Sequence, residues 1–261
     1  MSKRLLSWIV IFFVVITNIT GCNGLNKEDQ KASDSKTVTQ ETTKKKEQEL
    51  DFIIKSYKSD KMKKMGYDVK IQGKRFPVPT TLNELGEDWS FDSGDTSKRE
   101  SGAYDGQRYW RVGNFVTSEW YEAGTKKRIY DTGAILCYKK IPVLSVGLDE
   151  LREDGKYNRN TRISGVYDSK KARQSGYLEL FVNGIHMGDI LDQSIEKKMG
   201  SGLWETTKYD RIFRKRENGM SISFFCALKS AKVKAHKKQY TIDSISIGPH
   251  KKRSKTPVGS E

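Results

Sequence analysis

The sequence predicts an α+β fold made of two similar small modules, each an antiparallel sheet with a short helix on one side. A disordered tether and one helix precede them. Three observations predict this. Short apolar runs alternate with polar residues and stop at glycine-containing turns, the pattern of antiparallel strands. A capped helical turn follows the first hairpin, and a tryptophan follows that turn. The same order returns in the second half of the chain, where Gly184 answers to Gly73 and Trp204 to Trp89.

The chain opens with Lys3 and Arg4, an apolar run from Leu5 to Ile16, a polar breaker Thr17-Asn18, and then Ile19-Thr20-Gly21-Cys22. A basic start, a short apolar core and small residues before a cut site make a secretory signal. The run is too short to cross a bilayer, which takes about 20 apolar residues. The tetrad resembles a bacterial lipoprotein signal with its lipobox, of the Gram-positive type. That resemblance implies cleavage after Gly21, a diacylglycerol on Cys22, and a chain anchored on the extracytoplasmic face of the membrane. No other cofactor is expected.

The formal charge of +15 becomes +13 on cleavage, because Lys3 and Arg4 leave and no acid goes with them. A basic exported chain meets anionic headgroups and wall polymers first. No basic recognition helix, zinc-finger spacing or RNA-binding aromatic signature argues for nucleic acid. The expected partners are the membrane, through the anchor, and an anionic cell-wall polymer or another envelope protein.

Residues 22–46 are rich in Ser, Thr, Lys, Gln and Glu and cannot offset their ordering entropy, so they read as a tether spanning roughly 25–30 Å. Residues 47–66 read as an amphipathic helix, with Leu50, Ile53, Ile54 and Tyr57 at i, i+3, i+4 and i+7. This helix either packs on the following domain or lies on the membrane; packing is favoured because the stripe is rich in aliphatics and short of large aromatics.

The first module is expected over 67–150. Val69 and Ile71 alternate into Gly73, and Phe76 and Val78 alternate after it. Thr80 or Thr81 can cap a helical turn with Glu84 near its third position and Gly86 at its end. Trp89 and Phe91 begin a strand, and residues 92–106 read as a loop. Arg108 to Tyr121 reads as a hairpin about Gly113-Asn114, and apolar strands follow at 134–138 and 141–148. A charged connector, 151–175, leads to a second module over 176–250 and a basic tail over 251–261. In that second module the Cys226 strand, from Gly219, is matched to the Cys137 strand, from Gly133. The order resembles the tandem α+β modules of the β-lactamase-inhibitor-protein type and uncharacterised Gram-positive surface lipoproteins. Val78-Pro79-Thr80-Thr81-Leu82-Asn83-Glu84-Leu85-Gly86 with Trp89 carries that likeness, which implies a binding or scaffolding module and brings no catalytic residues.

Few residues point to chemistry. His186, His236 and His250 lack partners at a metal-binding spacing and read as solvated. Asp88, Asp92, Asp95 and Asp105 are spaced too widely for a calcium loop and flank Lys98 and Arg99. Export allows a disulfide between Cys137 and Cys226; two separate buried thiols are the alternative. Tyr109, Trp110, Arg111, Trp120 and Tyr121 form the candidate binding cluster, since Trp, Tyr and Arg dominate interface hot spots. Against that stands core packing, with Trp110 and Trp120 facing inward and Tyr109 and Tyr121 outward. The basic stretch Lys232–Lys238 is the second candidate. The expected function is a non-catalytic binding or scaffolding module at the membrane–wall interface. A surface hydrolase acting on wall glycan or peptide is the alternative.

Overall fold

A computed structural model of the protein describes residues 50–56, 60–104, 107–121, 127–150, 152–229 and 239–250. The signal segment, Cys22, the tether, the basic tail, Asp105, His236 and Lys232–Lys238 lie outside the described residues. The folded unit begins at Phe52. It is predominantly antiparallel β-sheet with four short helices among the described residues: α1 (Lys61–Lys64), α2 (Leu82–Leu85), α3 (Lys170–Gln174) and α4 (Gln193–Met199).

The strands of the first half are β1 (Val69–Ile71), β2 (Lys74–Arg75), β3 (Thr80–Thr81), β4 (Trp89–Asp92), β5 (Arg99–Tyr104), β6 (Gln107–Val112), β7 (Phe115–Tyr121), β8 (Arg128–Tyr138) and β9 (Ile141–Leu148). Those that follow are β10 (Arg162–Ser169), β11 (Leu180–Val182), β12 (Leu203–Thr206), β13 (Asp210–Glu217), β14 (Met220–Leu228) and β15 (Tyr240–Pro249). One large sheet runs β12-β13-β14-β15-β10-β9-β8-β7-β6-β5, with β3 added on β10 and β4 on β8. A small sheet runs β11-β1-β2.

Several local expectations hold. Gln72 and Gly73 turn β1 into β2 at φ 47° and 76°, a geometry glycine takes without strain. Thr81 caps α2 with a full capping box, its hydroxyl accepting from the Glu84 amide while Glu84 accepts from the Thr81 amide. In α4, whose cap the sequence reading did not name, Asp192 accepts from the Ile195 amide at 2.9 Å. The β6–β7 hairpin turns at Gly113-Asn114.

Others do not hold. The expected helix over 47–66 is an extended strap at Phe52–Ser56, followed by the single turn α1. Phe52, Ile54 and Ser56 also alternate at period 2, and the strap uses that alternation. Phe52 is buried against Trp89 (5.4 Å between rings) and Tyr138 (6.1 Å). The Lys55 and Ser56 amides donate to the carbonyls of Leu85 and Glu84. So this stretch does pack on the domain, as a strap. The loop expected over 92–106 contains β5, an edge strand bonded to β6 alone and needing no apolar face. The connector expected over 151–175 contains β10, which pairs with β9, β15 and β3 and lies at the centre of the sheet. A register shift between Ile163 and Gly165 breaks its alternation, which hides the strand from a period-2 reading.

Cross-strand register sorts the side chains into two faces. On the inner face Val146, Val166, Ile247 and Ile222 lie opposite one another in turn, as do Ile245, Phe224 and Phe213, and all are buried. The strap, helices and small sheet pack on this side. Lys215, opposite Ile222, donates to the Met65 carbonyl, and Arg211 pairs with Glu196 of α4 at 2.9 Å. In the small sheet Val69 faces Val182 and Ile71 faces Leu180. Asn183 stitches it together, accepting from the Asp68 amide at 2.8 Å and donating to the carbonyls of Gly66 and Lys198.

Candidate binding surface

The candidate cluster lies on the β6–β7 hairpin, and its register decides which members meet. Trp110 lies opposite Thr117 and Arg108 opposite Glu119, while Tyr109 lies opposite Ser118 and Arg111 opposite Val116. Paired residues sum to an odd number, so even positions on the two strands point to opposite faces. Trp110 and Trp120 therefore point apart, and the expectation that both face the core is overturned. Trp120 is buried; Trp110 is half-buried and meets Tyr130 edge-on at 5.9 Å. Backbone alternation puts position 121 on Trp110's face. Tyr109, Arg111 and Trp120 share the outer face. Arg111 lies 3.9 Å from Glu100, and the Tyr109 phenol lies over Gly102, where a Cβ would come within 2.7 Å of it.

That outer face continues across the sheet. Tyr167, Ser246, Ser223 and Arg214 lie opposite one another in turn on β10, β15, β14 and β13, with Ser145 of β9 on the other side of Tyr167. Five strands at about 4.8 Å spacing make this row roughly 19 Å long. Ser244 pairs with Phe225 beside it, and Ser221 with Gly248. Tyr167, Ser169, Ser221, Ser223, Ser244, Ser246, Gly248 and Arg214 are all half-buried, whereas the apolar inner-face residues Val166, Phe213, Ile222, Phe224, Ile245 and Ile247 are buried. Tyr167 lies flat because glycines leave room: a Cβ at Gly147, Gly165 or Gly248 would stand 3.0, 3.2 or 3.5 Å from its hydroxyl. The surface is a ledge of hydroxyls around one flat phenol, leading to Arg214, which pairs with Glu205, and to exposed Leu203 on β12. Sequence reading misses it because Tyr167 sits in the expected connector and its neighbours come from four other strands.

The remaining reactive groups lie elsewhere. Cys137 and Cys226 are free and buried, the separate thiols that the sequence reading set against a disulfide. They sit on β8 and β14, four strand spacings apart in the sheet, far beyond the roughly 7 Å limit for a bridge. Burial pushes the Cys137 thiol up to about 11 and the Cys226 thiol up to about 12. His186 is at the surface but has acidic partners. Its Nδ1 lies 3.1 Å from Glu179 and its Nε2 3.1 Å from Asp189, against the Phe181 ring. The two acids flank opposite sides of the imidazole and cannot share one ion with it. The acids over 88–95 disperse: Asp88 lies 3.8 Å from Lys139, Asp92 accepts from the Gly94 amide, and Asp95 accepts from the Ser97 amide and hydroxyl. The Ser97 bonds hold the Asp95 carboxyl below its usual range. Among the described residues, no three His, Cys, Asp or Glu side chains converge as a metal site.

No family model, no curated protein and no solved structure matches this chain.

Proposed function

We propose that this is an exported protein, lipid-anchored through Cys22 on the extracytoplasmic face of the membrane, whose folded unit is a non-catalytic binding module for an anionic, hydroxylated wall polymer. The composition of the outer face is the observation that carries the ligand class. Serine is depleted at protein–protein interfaces, where aromatics and methionine gather. A row of hydroxyls beside a flat phenol suits sugar or polyol hydroxyls; Arg214 pairs with Glu205 through one nitrogen and keeps further N–H donors that an anionic group can share. The net positive charge adds long-range attraction to such a polymer.

We further propose that the unit arose by duplication, with a correspondence different from the sequence match of the two cysteine strands. One interval along the chain relates the caps Thr81 and Asp192, and the same interval relates Val69 to Leu180 and Ile71 to Val182 in β1 and β11. Beyond the helices a shorter interval applies: the β8–β9 turn Lys139-Lys140 answers to Asn218-Gly219, and β10 answers to β15. The shortening corresponds to the β5–β7 ribbon, an insertion in the first half. On this reading the halves join through β10 and β15, with Tyr167 opposite Ser246, its own counterpart at that shorter interval.

The test is retention of the mature chain carrying Cys22→Ser on isolated cell envelopes across a salt series. Retention surviving about 0.5 M salt, where screening reaches only about 4 Å, is expected. Ser246→Glu, which adds a like charge, should lower it about tenfold. Equal retention of the variant removes the outer face from the proposal. The anchor is tested separately by Cys22→Ala, which should release the protein and abolish lipid labelling; unchanged labelling refutes it.

A further inference from the structure

We infer that the corner where the strap enters the fold docks on the bilayer surface, inserting Ile53 and Ile141 between lipid headgroups. Ile53 is 71% exposed and Ile141 36% exposed, although both adjoin the most aromatic part of the core. The Trp89 indole donates to the Ile53 carbonyl at 3.1 Å, and the neighbouring Phe52 ring lies 6.1 Å from Tyr138. Ile141 is the cross-strand partner of Tyr138. Ile53 therefore sits on the strap that covers this aromatic cluster, and Ile141 shares Tyr138's face at the end of the β8–β9 hairpin; both are exposed at the cluster's edge. Pro142 beside Ile141 is exposed as well.

The turn that presents Ile141 is built to project. Lys139 and Lys140 both take positive φ, 48° and 66°, and both are exposed at its tip. Lys139 lies over the Tyr138 ring at 5.3 Å, and Lys55 is exposed on the strap. Long lysine stems beside apolar groups can lie along an interface with their charges in the headgroup layer. Exposed Glu87 and Asp88 are also here, and Asp88 lies 3.8 Å from Lys139 and accepts from the Tyr138 hydroxyl at 3.3 Å. Acids and lysines nearly balance, so apolar insertion outweighs charge at this corner.

The occupant follows from where the chain enters. This inference rests on the lipid-anchor reading and on the tether expected over residues 22–46, whose span is roughly 25–30 Å. The corner is the part of the folded unit nearest to that tether along the chain. Two isoleucines would hold a free protein on lipid only weakly. Held within that span, they meet the bilayer at an effective concentration on the order of millimolar, where weak docking suffices.

The experiment uses the full lipidated chain with Ile141→Cys, or separately Ile53→Cys, carrying an environment-sensitive maleimide dye. Cys137 and Cys226 are buried and stay unlabelled at neutral pH. Ser246→Cys on the outer face is the control. Each protein is floated with phosphatidylcholine/phosphatidylglycerol vesicles containing brominated acyl chains. Expected is a blue-shifted dye at 141 and at 53 that loses most of its emission to the brominated lipid, with position 246 unaffected. Floating protein whose dyes at 141 and 53 are quenched no more than at 246 overturns the docking alone. A blue shift without lipid quenching means the corner is covered by another protein copy and also overturns it. Protein that fails to float refutes the anchor, and the docking with it.

Discussion

Asp168 offers the most quantitative test of the fold. It is 1% exposed on the inner face of β10, beneath the small sheet. One carboxylate oxygen accepts from the Leu180 amide at 3.1 Å, and the other has no well-formed hydrogen bond among the described residues. Burial lifts the carboxyl from 3.8 to about 6, with Glu179 adding to the rise and Arg173 opposing it. The folded state therefore holds this proton over a range where the unfolded chain has released it. Stability from the protonated form is complete below about pH 4 and is lost as pH rises to about 6. A shift of about two units corresponds to roughly 3 kcal/mol. Asp168→Asn cannot titrate. Its amide leaves a buried donor short of an acceptor, costing about 1–3 kcal/mol, but equally at every pH. Urea unfolding of both proteins at pH 4, 5, 6 and 7 separates the two effects. The variant should gain on the wild type by roughly 2 kcal/mol between pH 4 and pH 7, most of it by pH 6. A constant difference, or one that grows in favour of the wild type, refutes the reasoning.

Two further predictions concern turns. Replacing Lys139-Lys140 by Asn-Gly, the residues that make the β13–β14 turn at φ 53° and 73°, should stabilise the fold by about 1–2 kcal/mol, read as a higher denaturation midpoint. Gly113→Ala should destabilise by about 2–3 kcal/mol, because its Cβ would fall 2.0 Å from the Ser93 carbonyl oxygen at a positive φ. Gly73→Ala is its control. It has the same kind of φ with nothing within 4 Å, and should cost only about 1 kcal/mol. Equal losses at the two glycines would mean that the close approach of the β6–β7 turn to Ser93 does not matter.

Local chemistry is legible in the sequence wherever a few adjacent residues decide the outcome. Gly113-Asn114 and Asn183-Gly184 mark turns because few other residues take positive φ cheaply. Thr81 and Glu84 mark a helix start because both partners of the capping box lie within one turn of each other. The strap reads as a helix because its isoleucines fit a helical stripe, while Phe52, the residue that is buried, fits only the alternating one. β10 escapes notice because its bulge spoils the alternation and its flanks are charged. The candidate surface is legible in part. Tyr109, Arg111 and Trp120 do share a face, but Tyr167, Ser246 and Arg214 come from three strands far apart in the chain.

By itself the sequence determined the antiparallel character of the fold, its hairpin turns and its helix caps. These depend on φ preferences and hydrogen bonds between near neighbours, which operate before distant strands meet. Only the tertiary structure decided which face each tryptophan takes, that the two cysteines stand four strands apart, and that His186 lies between Glu179 and Asp189. Each of these depends on register between strands. A shift of one residue there exchanges the two faces of a strand while leaving its own alternation unchanged.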